Sequence, residues 1–121
     1  MSRRCVITGM GAVTPLGSTV SSFWEGIKNG VCGIGRITKF DTTDYKVKIG
    51  AEVKDFDAEK YMNKKDIKIN DLYSVYAMAA AAQAMDDSGL KLDGDDALRT
   101  GVIVGSGIGG LMTMQEQVIR L

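Results

Sequence analysis

The chain contains no histidine, a single proline, only two cysteines and no net charge, since Lys plus Arg and Asp plus Glu are 15 each. Each shortage excludes something. Without histidine, a serine or cysteine nucleophile has lost its commonest general base, and zinc has lost its commonest nitrogen ligand. Cys5 and Cys32 have no metal-binding spacing, so no metal site is expected, and both read as inert thiols, Cys5 as a small buried residue of a strand. A balanced charge gives no global field for nucleic acid or an anionic membrane, so electrostatic docking would have to come from a local cluster. No apolar run is long enough to cross a bilayer, and MSRRCVITG is a poor secretory signal because Thr8 and Gly9 interrupt its apolar part. The cytosol is the expected compartment.

What remains is the composition of an ordinary globular domain: 121 residues, 45% hydrophobic and 25% charged. Residues 5–8 and 100–104 read as short buried strands, each running into glycines. Val20, Phe23, Trp24 and Ile27 recur at helical spacing, with Ser18 or Thr19 as cap and Gly30 as stop, which places Trp24 in a core-facing stripe. Tyr45, Val47, Ile49, Ala51 and Val53 alternate as in a half-buried strand.

The stretch after Glu59 is locally basic, and on a helix Lys64, Lys65 and Lys68 share a face. Asn70 or Asp71 can cap a longer helix, LYSVYAMAAAAQAMDDSG, whose alanines imply close packing on several sides. KLDGDDALRT reads as polar turn, and a last helix begins at Leu111. With no repeat and no linker, residues 1–121 form one α/β unit without an internal boundary, which the chain end interrupts within an element.

The stretch GVIVGSGIGGL holds Gly105, Gly107 and Gly110 in a G-x-G-x-x-G pattern between an apolar run and a helix start. One reading is a dinucleotide fingerprint, with phosphate held on the backbone N–H groups of the helix N-terminus. The other is a tight turn that lets backbone approach a ligand or another subunit closely.

Taken in order, RRCVITGMGAVTPLG, the Phe23–Trp24 helix, GVCGIGRITKFDTTDYKVKIGAEVKDFD, the alanine-rich helix with QAMDDSGL, and VIVGSGIGGL resemble the N-terminal part of the β-ketoacyl-acyl-carrier-protein synthases, closest to type II. That resemblance implies the opening portion of a thiolase-like α/β/α/β/α layered fold, incomplete here, from a homodimeric enzyme of fatty-acid synthesis. It implies acyl transfer to a cysteine, then decarboxylative Claisen condensation with malonyl-carrier protein, and no organic cofactor. The cysteine and two histidines of that chemistry fall downstream of this segment, so the chain by itself is expected to be inactive. The resemblance also implies that Gly107, Ile108 and Gly109 border the acyl pocket, and that Lys64, Lys65 and Lys68 lie near the docking surface for acidic acyl carrier protein. A non-catalytic partner subunit of the chain-length-factor type is the alternative, followed by the nucleotide-binding oxidoreductase.

Overall fold

The computed structural model describes residues 4–121; Arg3, which opens the RRCVITG block, lies outside them. Helix α1 spans Val20–Lys28 and begins where its sequence promises. Thr19 Oγ1 accepts from Ser22 N–H while Ser22 Oγ accepts from Thr19 N–H, each at 3.2 Å, a reciprocal capping box. The helix ends at Gly30, whose φ of +63° suits glycine. There Gly30 N–H returns to Ile27 O and Val31 N–H to Gly26 O, the paired bonds of a Schellman stop.

Strands β1 (Ile34–Arg36) and β2 (Ile49–Ala51) form a two-stranded antiparallel sheet in the register Ile34 with Ala51 and Arg36 with Ile49. A 3-10 turn (Ala58–Lys60) and α2 (Lys64–Ile69) lead into α3 (Leu72–Ser88), followed by α4 (Gly94–Arg99) and α5 (Leu111–Arg120).

Helix α3 is the centre of the packing. Val75 and Ala79, one turn apart, are the buried apolar residues among those described, at 2% and 0% exposure. On one side Phe56 meets Tyr76 edge-on at 5.0 Å and stacks with Tyr61 at 6.2 Å, which seats the 3-10 turn on the helix. On another, residues 9–12 run antiparallel to α3. A Cβ at Gly9 would collide with the backbone of Ala84 and Ser88, and one at Gly11 with the backbone of Ala80 and Ala84. Glycine in the strand-like segment and the small stripe Ala80, Ala84, Ser88 on the helix thus allow backbone-to-backbone approach. Met10 N–H donates to Asp87 Oδ2 at 2.9 Å and Ala12 N–H to Gln83 Oε1 at 3.2 Å, so side chains of α3 satisfy donors that a neighbouring strand would otherwise take.

Several sequence expectations are corrected. Residues 5–8 and 100–104 are not strands among the described residues, and Val6, Ile7, Val102, Ile103 and Val104 are exposed, Ile103 at 98%. A short apolar run becomes a strand only when another strand supplies its hydrogen bonds, and here none pairs with either segment. Cys5 is exposed for the same reason. The alternating stretch forms only the three residues of β2, with Tyr45, Val47 and Ile49 open to solvent. Trp24 is 56% exposed, because the stripe of α1 borders an open groove rather than a core. KLDGDDALRT contains a helix, α4, with Asp95 and Asp96 in its first turn and Arg99 in its last, signs that suit the helix dipole.

Candidate functional site at the glycine turn and the basic helix

The glycine turn connects residues 100–104 to α5. Gly110 is the N-cap of α5, with φ +71°, and has no side chain to cap the helix. Asp71 performs that role from a distance. Its Oδ2 accepts from Thr113 N–H at 3.2 Å and from Thr113 Oγ1 at 2.7 Å. Asp71 is also the N-cap residue of α3, yet makes no side-chain cap bond there. The Thr113 hydroxyl, then its amide, hold the Asp71 carboxyl below its ordinary value of 3.8. A second contact lies beside the first: a Cβ at Gly109 would fall 2.8 to 3.0 Å from carbons of the Tyr73 ring. The first turn of α3 therefore holds the turn at two points.

This geometry counts against the dinucleotide reading. A pyrophosphate would need the free N–H groups at the start of α5, and a carboxylate already occupies Thr113 N–H. Two anions at one helix N-terminus repel.

Of the residues assigned to the acyl pocket, Ile108 is 77% exposed at the crest of the turn, Gly107 has open space where a Cβ would be, and Gly109 rests on Tyr73. An open groove of about 500 Å³ runs beside them between α3 and α5, lined by Ile69, Asp71, Tyr73, Gly110, Thr113 and Met114. Ile108 and Gly107 do not line it.

The three lysines lie on α2 as expected, with Asn63 as N-cap accepting from Asp66 N–H at 2.9 Å. All three are exposed. Lys64 pairs with Glu59 at 3.4 Å, whereas Lys65 and Lys68 of the same helix make no salt bridge among the described residues. The two candidate sites are neighbours through the chain: α2 ends at Ile69, and Asn70 alone separates it from Asp71.

Sequence reasoning reached Asp71 only as a helix cap and passed over Thr113 and Tyr73. The available signal was Thr113 at the third helical position after a glycine cap, where the missing side-chain acceptor must come from elsewhere. Gln83 was also passed over. Its Nε2 donates to Ser18 O at 2.8 Å and to Tyr61 Oη at 3.0 Å while its Oε1 takes Ala12 N–H, so one amide joins the N-terminal segment, the entry to α1 and the aromatic cluster.

Among the described residues no helix is long and apolar enough to cross a membrane. Comparison with known proteins gives one family. The model for the N-terminal domain of the β-ketoacyl synthases matches residues 2–120. The 3-oxoacyl-[acyl-carrier-protein] synthase 2 of Vibrio harveyi is 49% identical over 109 residues, which is 90% of this chain and 26% of that protein. Its counterpart from Synechocystis sp. is 42% identical over 115 residues, covering 95% of this chain and 28% of that protein. Among solved structures, the ishigamide ketosynthase/chain length factor superposes with a TM-score of 0.66 at 33% identity, over 75% of this chain and 22% of that one. The chain thus spans about a quarter of the length of the curated relatives it matches. It has the opening portion of a thiolase-like ketosynthase fold and belongs to the β-ketoacyl synthase family, as its N-terminal domain.

Proposed function

We propose that this chain is the N-terminal part of a fatty-acid condensing enzyme, a 3-oxoacyl-acyl-carrier-protein synthase of type II that works as a homodimer in the cytosol. The observation that carries this reading is the family match over residues 2–120, with 49% identity to a synthase of that kind. In such a reaction a cysteine thiolate attacks an acyl thioester and releases the carrier thiol. Malonyl-carrier protein then loses carbon dioxide, and the resulting carbanion displaces the cysteine to give the 3-oxoacyl product. The thiolate and the histidines that assist decarboxylation come from outside these 121 residues, which contain no histidine.

The contribution of this chain is to shape and dock. Ile108, between Gly107 and Gly109, borders the acyl pocket, where its apolar side chain meets the growing hydrocarbon. Lys64, Lys65 and Lys68 face the acidic surface of acyl carrier protein, and complementary charge raises the rate of encounter. The site needs no metal and no organic cofactor.

The test is to supply the parent protein with acyl- and malonyl-carrier protein and to follow the product by mass spectrometry. The expected result is an acyl group on a cysteine, release of carbon dioxide and a 3-oxoacyl product two carbons longer. A non-catalytic partner subunit is the second reading, favoured by the solved ketosynthase/chain length factor that this chain resembles. Binding of carrier protein with no acyl-enzyme would decide for it.

A further inference from the structure

We infer that Asp71, together with Tyr73, positions the Ile108 turn and thereby sets which acyl chain lengths the synthase accepts. This rests on the reading above. Neither residue is assigned to the chemistry, and both act through the turn.

The turn is held from α3 where it enters α5. After Ile108, Gly109 rests on the Tyr73 ring, and α5 is anchored through Thr113 to Asp71. The backbone that carries Ile108 is therefore placed by the contacts that Tyr73 and Asp71 make just after it. Since Gly110 has no cap of its own, the bonds from Thr113 to Asp71 are what registers the start of α5 against the start of α3. A shift of this register moves Ile108 relative to an acyl chain, and a hydrocarbon pocket discriminates length by such displacements.

The experiment uses the complete synthase and compares palmitoyl- with octanoyl-carrier protein. Asp71→Ala removes the link, and Thr113→Val removes its shorter bond, the one from the hydroxyl. Each is expected to change the ratio of kcat/KM for the two acyl groups by roughly 3- to 30-fold, while KM for malonyl-carrier protein stays unchanged. Thr113→Ser and Asp71→Asn, which keep a hydroxyl donor and a side-chain oxygen acceptor, are expected to retain the wild-type ratio. Hydrogen exchange at the start of α5 should quicken in Asp71→Ala and not in Asp71→Asn. A merely structural role would lower activity toward both acyl groups equally, and that outcome overturns the inference, as does an unmoved ratio. A wild-type protein that forms no 3-oxoacyl product overturns the parent reading and the selectivity claim with it. An active wild type with an unmoved ratio in both link variants overturns only the inference.

Discussion

The side-chain amide of Gln83 accepts from the backbone of Ala12 at 3.2 Å and on its other side donates to Ser18 O at 2.8 Å, so a single residue of α3 holds both ends of the turn that leads into α1. The two functions of the amide are not interchangeable. Gln83→Glu keeps the acceptor for Ala12 but sets a carboxylate against the Ser18 carbonyl; Gln83→Met removes both bonds in a similar volume. Leaving partly buried backbone groups unpaired costs about 1–3 kcal/mol each. Chemical denaturation should rank wild type above both variants, and a glutamate variant as stable as wild type would refute the donor assignment.

Close approach of residues 9–12 to α3 leads to a contrast among glycines. Gly11→Ala drives a methyl into the carbonyl of Ala80, a backbone atom that cannot rotate away. Overpacking of this kind costs roughly 1–3 kcal/mol. Gly107→Ala meets open space and has no positive φ to strain, so stability should be nearly unchanged. Equal melting temperatures for the two variants would show that the segment does not press on the helix.

Much of this fold was legible because much of it is local. Helix α1 could be read with both ends, since Thr19, Ser22 and Gly30 act within a few residues of one another. The basic helix and the start of α3 were legible on the same grounds. The strands were not: residues 5–8 and 100–104 have strand composition, but pairing depends on a partner far away in the chain. Trp24 misled because periodicity reveals which side chains share a face and says nothing of what covers that face. At the site, the GSGIGG turn was conspicuous, whereas its anchor joins Asp71 to a threonine 42 positions on, a separation no local pattern encodes.

Acid should loosen the link between Glu52, just after β2, and the segment before Asp41. The Glu52 carboxylate accepts from Thr38 Oγ1 at 2.8 Å and from the N–H groups of Thr38 and Lys39, each at 3.0 Å. The Thr38 hydroxyl and amide hold its carboxyl below the ordinary 4.5. With the folded value depressed, the unfolded chain takes up the proton first. The contribution is therefore complete above 4.5 and is lost as pH falls through the folded value. Glu52→Gln keeps an acceptor and removes the titration, so the stability gap to wild type should shrink once pH drops below 4.5. A gap that is constant with pH would exclude this role.

Charge on α2 should matter unequally. Lys64 is already paired with Glu59 at 3.4 Å, although both are well exposed and the pair is weak. Reversal of Lys65 and Lys68 to glutamate is expected to weaken carrier-protein binding more than reversal of Lys64, chiefly through a slower association rate. The difference should fade as salt rises, because screening acts over about 10 Å at 0.1 M. Affinity unchanged at low salt in the Lys65 and Lys68 variant would remove α2 from the docking surface.

Expressed on their own, these 121 residues should behave as a sticky and weakly cooperative chain. Val6, Ile7, Val102, Ile103 and Val104 are large apolar side chains in unpaired backbone, and Val75 with Ala79 is little core to oppose the entropy of ordering the remainder. Exposed strand-forming segments pair with copies of themselves when nothing else covers them. A hydrophobic dye should therefore bind at neutral pH, and light scattering should increase with concentration. Asp or Lys in place of Ile103, at 98% exposure, should reduce both without loss of helix signal. In a longer protein that covers these side chains, the same substitution should be destabilising instead. A sharp two-state melt of a monomeric wild-type chain, with no dye binding, would show that the open segments need no partner.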